Sequence, residues 1–179
     1  MKLTGPQVIG ELRDKLPVGI GRHLYAVLGT YAQLAHFERD HVAQARDPEG
    51  RPFPAPLNVN REMLARIGDE ELRRLVHDEP RRPQTVQRRL NRELQELLND
   101  QLRASCFLIL KQLELLFAYE LDLTPFRTRA SNDSHILLLL PGERRSDHIT
   151  IFHEADARFQ RTMPENLIAD NHLWELTNA

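Results

Sequence analysis

Apolar side chains between residues 21 and 45 recur at about every third or fourth position. The recurring residues are Leu24, Val27, Leu28, Tyr31, Leu34 and Val42. This period matches an α-helix, whose 3.6 residues per turn bring such positions onto one buried stripe. The pattern therefore predicts a helix over residues 21–45. Gly29 within it indicates either close packing against another helix or a kink.

The strongest apolar pattern begins after Pro83. From residue 84 to residue 124 the chain contains neither Gly nor Pro, the two residues that most disfavour a helix interior. The first half follows the helical period, and residues 106–121 are apolar on most faces. We expect one Leu-rich helix of about 35 residues, roughly 50 Å long. The alternative for residues 106–121 is a pair of strands.

Two shorter helices are expected between a proline-rich stretch and this long helix. Residues 48–57 hold four prolines and one glycine, which remove backbone donors and favour extended conformations, so they predict a loop. Asn60 can cap a helix over residues 61–67. Asp69 can cap another that reaches His77.

The C-terminal part of the chain changes to strand-like patterns. Residues 135–140 and 149–153 are short apolar runs on either side of a segment that begins with Pro141-Gly142. Such a pair predicts a β-hairpin. The tail after residue 164 is expected to form a short helix that packs on the body of the protein.

Together these elements predict a mainly α fold with a small C-terminal β-hairpin, of the α+β class, organised around one long central helix. A chain of 179 residues has the length of one ordinary domain. We therefore expect residues 1–179 to form a single domain. Its parts would be an N-terminal helical segment (residues 1–47), a proline-rich loop (48–57), a helical core (58–124), and the hairpin with the C-terminal tail (125–179).

Composition and charge indicate a globular cytoplasmic protein. Apolar residues make up 41% and charged residues 28% of the chain, as in globular rather than disordered proteins. The net charge of -2 means that any attraction to nucleic acid must be local, and no membrane partner is expected. The first residues lack the apolar run of a secretory signal. Cys106, the only cysteine, is expected to be a buried thiol in a reducing compartment.

Positive charge is concentrated near the start of the long helix. Residues 81–92 contain five arginines and no acidic residue: Arg81, Arg82, Arg88, Arg89 and Arg92. On a helix, Arg81, Arg88 and Arg92 share one stripe that projects into solvent, where phosphates are natural partners. The order of helices loosely resembles a helix-turn-helix, which makes nucleic-acid binding the alternative function. The other interpretation is a solvated face with internal pairs such as Arg89 with Glu93.

The histidines suggest a different chemistry. If the hairpin turn centres on Arg144, His135 lies opposite His153, with Asp133 and Glu154 nearby, and such a set could hold zinc. A slip of one residue would separate the two histidines, so no metal ligand is assigned. The sequence also lacks a Gly-rich phosphate loop and a Ser-centred nucleophile elbow. No catalytic residue and no cofactor are predicted, and a nuclease or metal enzyme is a third hypothesis.

The sequence thus predicts a non-catalytic helical protein that assembles with other proteins, or with itself, in a multi-protein complex. Apolar surface on the long helix would be one contact. A second would be an interface formed by Trp174, Leu173 and Leu167, because aromatic residues dominate interface hot spots. The other interpretation of Trp174 is that it fills the core of its own domain.

Overall fold

The computed structural model describes residues 1–145, 148–164 and 166–177. In this part of the chain the strands are β1 (Lys2–Leu3), β2 (Leu24–Gly29), β3 (Leu57–Asn58), β4 (Phe107–Lys111), β5 (His135–Arg145), β6 (His148–Ile151), β7 (Arg161–Thr162) and β8 (Leu173–Leu176). The α-helices are α1 (Gly5–Lys15), α2 (Tyr31–Asp40), α3 (Val59–Ile67), α4 (Asp69–Asp78), α5 (Pro83–Ala104), α6 (Glu114–Ala118) and α7 (Thr124–Arg129).

Six of these strands form a parallel sheet in the order β1-β8-β2-β5-β4-β3. The central pair, β2 and β5, is in register from Leu24 opposite Ile136 to Gly29 opposite Pro141. β6 pairs in antiparallel fashion with the last four residues of β5, and β7 pairs with β6. The sheet therefore has eight strands, and the fold class is α/β.

Helices cover both faces of this sheet. Because side chains alternate along a strand, Tyr25 and Val27 of β2 pack with α1 and α2, on what we name the α1–α2 face. Leu24 and Ala26 pack with α3, α4 and α5, on the α5 face. The connection from β2 to β3 crosses the α1–α2 face. The connections from β3 to β4, from β4 to β5 and from β5 to β8 run in the opposite direction along the sheet and cross the α5 face. All these crossovers consequently have the same hand, as parallel sheets require.

The predicted mainly α fold is wrong. The pattern was misleading because the parallel strands are buried on both faces. The sequences LYAVLG of β2, FLILK of β4 and HILLLL at the start of β5 are continuous apolar runs without alternation. Periodicity alone does not distinguish such a run from a buried helix. The helix predicted over residues 21–45 is instead β2 followed by α2, which Thr30 caps by accepting a hydrogen bond from the Gln33 backbone N–H.

The prediction of one long central helix is also wrong. α5 ends at Ala104, where Ser105 adopts an extended conformation, and β4 and α6 follow. One of the two strands weighed as the alternative for residues 106–121 is therefore present. α3, α4 and α5 together form the crossover from β3 to β4 and pack against the sheet. The helical-scaffold and helix-turn-helix interpretations are wrong for the same reason.

The C-terminal region differs from its predicted pattern in two ways. A hairpin is present, but Gly142 pairs with Ile151 and Arg145 with His148, whereas residues 135–140 belong to the parallel sheet. The tail forms a strand rather than a helix, since β8 lies between β1 and β2. Short apolar strands at the end of the chain have too few residues to show a clear period.

The two short helices are confirmed as α3 and α4. Their caps differ from the prediction by two positions and by one, because Asn58 rather than Asn60 caps α3 and Gly68 rather than Asp69 precedes α4. Local signals were sufficient here, since caps and breakers act within a few residues. Among the described residues, no helix is both long enough and apolar enough to cross a membrane.

Candidate functional site

The carboxyl ends of parallel strands are the usual ligand-binding edge of an α/β sheet. In this protein the chain's own side chains fill that edge. β2 ends at Gly29 and α2 begins at Tyr31, which leaves only Thr30 between strand and helix and no space for a phosphate loop. The outward N–H groups at the start of α2 would attract an anion. The Glu154 carboxylate already accepts a hydrogen bond from the Tyr31 backbone N–H at 2.6 Å.

A second set of bonds closes the same edge beside β3 and β4. The Glu114 carboxylate accepts hydrogen bonds from the Tyr31 hydroxyl at 3.3 Å and from the Asn60 side-chain amide at 2.7 Å. The Lys111 ammonium forms an ion pair with Glu38 at 2.6 Å. Burial, together with the charge and hydrogen bond of Glu114, raises the pKa of Tyr31, so its hydroxyl stays protonated and donates. These groups hold the edge together by pairing with one another.

At the opposite, amino edge of the sheet, three histidines surround one tyrosine. The hydroxyl of Tyr25 lies 3.1 Å from Nδ1 of His23 and 3.5 Å from Nδ1 of His135. The rings of His23 and His135 stack with their centroids 4.2 Å apart. His172 and Trp174 pack against the Tyr25 ring, at centroid distances of 4.7 and 5.7 Å. We name these five residues the histidine–tyrosine layer.

Burial keeps this layer uncharged at neutral pH. It lowers the pKa of His135 to about 4, with a further lowering by the neighbouring His23 and an opposing effect of Asp133. Burial also lowers the pKa of His23 and of His172, and it raises the pKa of Tyr25 to about 12. An imidazole with so low a pKa is a weak base, poorly matched to proton abstraction at pH 7. The layer is therefore suited to packing and hydrogen bonding.

A cavity of about 490 Å³ opens beside this layer at the amino edge. Phe53 and Phe107 form part of its wall, in an edge-to-face pair with centroids 5.2 Å apart. His135 also lines the cavity. Cys106 does as well, and it is exposed rather than buried as expected, because it lies at the sheet edge just before β4 begins.

An exposed apolar segment borders this amino-edge cavity. Residues 16–21 lead from α1 to β2, and Leu16, Pro17 and Gly19 contribute to the cavity wall. Within this segment, which we name the apolar loop, the exposed fraction is 88% for Ile20 and 48% for Val18. Such a combination of projecting apolar side chains and an adjacent cavity is typical of a surface that binds another molecule.

The predicted arginine patch lies on the first half of α5 and on the turn before it. Arg81, Arg82, Arg88 and Arg92 are exposed. Within the described part of the chain, the side chains of Arg81 and Arg82 have no hydrogen-bond or ion-pair partner. Arg89 is different, since only 13% of its side chain is exposed and it pairs with Glu71 and Glu93. Four of the five arginines could therefore contact a phosphate backbone.

Arg89 belongs to an ion-pair network between α3, α4 and α5. The Glu93 carboxylate, with 3% of the side chain exposed, accepts hydrogen bonds from Arg66 and from Arg89. Burial alone would raise the pKa of Glu93, but the two guanidinium groups bring that pKa below its ordinary value. The Arg89 and Glu93 pair anticipated from the sequence is present, and its position indicates a structural role.

The predicted partner interface lies in the core. Trp174 is fully buried on the α1–α2 face, and Leu173 and Leu167 are buried on the α5 face. Because β8 is an internal strand, a partner would reach Trp174 and Leu173 only if that strand left the sheet.

The two histidines considered for zinc lie in different regions. His135 is the first residue of β5 and faces Tyr25, whereas His153 follows β6 and Glu154 accepts a hydrogen bond from the first residue of α2. Among residues 1–145, 148–164 and 166–177, no three His, Cys, Asp or Glu side chains converge to hold a metal ion.

The sequence pattern does not reveal the histidine–tyrosine layer or the bonds at the carboxyl edge. The alternation of His23 with Tyr25 and of His172 with Trp174 is a period-two signal. The first pair, however, lies within residues 21–45, whose apolar positions also follow a helical period. Glu114 and Glu154 are far from α2 in the sequence, and only the order of the strands in the sheet brings them close to it.

Comparisons with protein-family models, curated proteins and solved structures found no significant match. Function is therefore inferred from the residues and their geometry.

Proposed function

We propose that this protein is non-catalytic and acts by binding other proteins, as a component of a multi-protein complex. The observation that carries the proposal is the apolar loop, in which Ile20 is 88% exposed next to the amino-edge cavity. Single exposed apolar residues are ordinary on a protein surface. Two within three residues, beside a cavity, offer apolar area whose burial would drive association.

The closed carboxyl edge supports the non-catalytic part of this proposal. Glu154 occupies the N-terminus of α2, and Glu114 is bonded to Tyr31 and Asn60. A catalytic or nucleotide-binding α/β protein needs this edge open, with groups directed at a ligand. Here the groups are directed at one another.

The partner we propose presents an apolar side chain flanked by basic residues. Apolar residues dominate the cavity wall, while its charged lining residues are three carboxylates (Asp47, Glu49 and Asp133) and one guanidinium (Arg51). Arg51 already pairs with Asp47 and Glu49, so a net negative charge faces the partner. Such complementarity favours association and selects among partners. A cytoplasmic location is part of the proposal, supported by the exposed, single thiol of Cys106.

Capture of partners from the native cell tests this proposal when it is done with matched variants. Ile20→Asp places a charge in the apolar loop, while Val76→Asp places one on α4, where Val76 is 61% exposed. We expect Ile20→Asp to lose a partner that the parent and Val76→Asp both retain. Light scattering would show whether the partner is a second copy of the chain. Equal capture by all three proteins would contradict the proposal.

The alternative function is nucleic-acid binding, without a helix-turn-helix. The observation that favours it is the set of unpaired, exposed guanidinium groups of Arg81 and Arg82, next to the exposed Arg88 on α5. A mobility shift that weakens steeply with salt is then expected, because phosphate contacts release counterions. Changing Arg88 and Arg92 together to Glu should abolish the shift. Arg103→Glu, at the other end of α5, is the control.

A further inference from the structure

A second cavity, of about 680 Å³, brings three arginines together on the α5 face at the amino edge. Arg22 precedes β2, Arg127 lies on α7, and Arg144 lies near the end of β5, and all three line this cavity. We name it the arginine groove. It is separate from the amino-edge cavity described above, with which it shares no lining residue.

The backbone fixes Arg22 close to α7. Arg22 forms a β-bridge with Ser131, and the neighbouring His23 N–H donates to the Ala130 carbonyl at 2.7 Å. Ala130 caps the C-terminus of α7, the helix that carries Arg127. The two guanidinium groups therefore extend from adjoining segments that hydrogen bonds hold together.

A bend in β5 brings the third arginine to the same place. Gly142 approaches β6 so closely that a Cβ at this position would lie 2.8 Å from the Thr150 carbonyl oxygen, which allows the hairpin to pack tightly. Arg144, two residues later, forms an ion pair at 2.9 Å with Asp170, just before β8. The hairpin thus returns across the α5 face to the amino edge.

The floor of the arginine groove is apolar. Leu24, Met163, Leu167 and Leu173 line it and belong to the core cluster of the α5 face. A ligand that fits would therefore combine an apolar body with an anionic group. The volume lies within the range of about 300–1,000 Å³ that is usual for small-molecule sites, whereas an extended polymer would need an open track.

The charge of the groove specifies the anion. Three guanidinium groups face one described carboxylate, that of Asp170, and the side chains of Arg22 and Arg127 have no ion-pair or hydrogen-bond partner in the described chain. Among the described residues that line the groove, two positive charges are thus in excess. A phosphate monoester carries about two negative charges at pH 7, and its oxygens match the guanidinium fork.

We propose that the arginine groove binds a small organic phosphate, with Arg22, Arg127 and Arg144 holding the phosphate and the leucine-lined floor holding the body. His172 also lines the groove, where it can offer a neutral hydrogen-bonding imidazole. This site is additional to the protein-binding surface of the apolar loop, and either one can exist without the other.

Calorimetric titration with phenyl phosphate, inorganic phosphate and phenol tests the proposal. We expect phenyl phosphate to bind at one site per chain more tightly than inorganic phosphate, because only phenyl phosphate fills the floor, and phenol to bind far more weakly. Arg127→Gln and Arg22→Gln should each weaken phenyl phosphate binding about tenfold or more. The double variant with Arg81→Gln and Arg82→Gln should bind like the parent.

Several results would overturn the proposal. One is the absence of binding by either phosphate. Another is binding to the Arg127→Gln and Arg22→Gln variants that is as tight as binding to the parent. A third is an equal loss of binding in the double variant with Arg81→Gln and Arg82→Gln. Binding of an oligonucleotide but of neither small phosphate would also overturn it. Thermal melting checks that each variant is folded, and Arg22, being exposed, provides a variant that should fold even if Arg127→Gln does not.

Discussion

The two edges of the parallel sheet use polar residues in opposite ways. At the carboxyl edge, Glu114 and Glu154 are bonded to groups of the same chain and link α2 to α6 and to the segment after β6, and α6 to α3. At the amino edge, the polar residues form a buried neutral layer, and the surface around that layer has two cavities and the exposed apolar loop. The edge that usually binds ligands is closed, and the other is open.

This difference shows that a fold class alone does not locate a site. The carboxyl edge is favoured in α/β proteins because loops and helix N-termini converge there. In this chain a single residue joins β2 to α2, and Glu154 satisfies the helix N-terminus. The two cavities and the exposed apolar loop on which we base the binding proposals lie instead at the amino edge.

The largest expected effect is loss of the packing beneath the amino edge. Trp174→Ala should reduce the free energy of unfolding by about 3–5 kcal/mol, because a fully buried ring stacked on Tyr25 is removed and a cavity remains. Phe159→Ala, at a position 54% exposed, should change stability by less than about 0.5 kcal/mol. Chemical denaturation measures both. Similar small effects of the two substitutions would show that Trp174 is not part of the core.

The next effect is a loss of stability in mild acid that arises at the amino edge. His135 has a pKa of about 4 when folded and about 6.5 when unfolded, so between these values the unfolded chain binds the extra proton. Stability therefore rises with pH in this window and is lost as pH falls from about 7 to about 5. The expected loss from His135 is about 2 kcal/mol.

Denaturation of the parent and of His135→Gln at the two pH values separates this effect from others. The parent should lose more stability than the variant, by about 2 kcal/mol. The buried Glu93 does not contribute in this window, because its pKa is below its ordinary value and it stays ionised. An identical pH dependence of the two proteins would contradict a neutral, buried His135.

The smallest of the stability effects is expected at the carboxyl edge. Glu154→Ala removes one carboxylate from the N-terminus of α2 and should cost about 0.5–1 kcal/mol. It should leave partner capture unchanged, since it lies away from the apolar loop. Thermal melting and capture with the same protein preparation check both statements. Loss of a partner without loss of stability would mean that Glu154 belongs to a binding site.

What could be predicted from sequence depended on how far apart the determining residues lie. α3 and α4 were predicted because cap residues act locally, although the caps are Asn58 and Gly68 rather than the predicted Asn60 and Asp69. β2 and β4 were mistaken for helices because strands covered on both faces lose the alternation that identifies a strand. The exposure of Ile20, and the meeting of Tyr25 with three histidines, depend on the strand order, which no local pattern contains.

The claim that binding takes place at the amino edge is tested most directly by removing one exposed apolar side chain from each edge. Ile20→Ser changes the apolar loop, and Tyr31→Ser changes the carboxyl edge, where Tyr31 is 43% exposed. Capture from native cells, scored for each partner of the parent, should show a partner lost with Ile20→Ser and kept with Tyr31→Ser. Loss with Tyr31→Ser and retention with Ile20→Ser would contradict the claim.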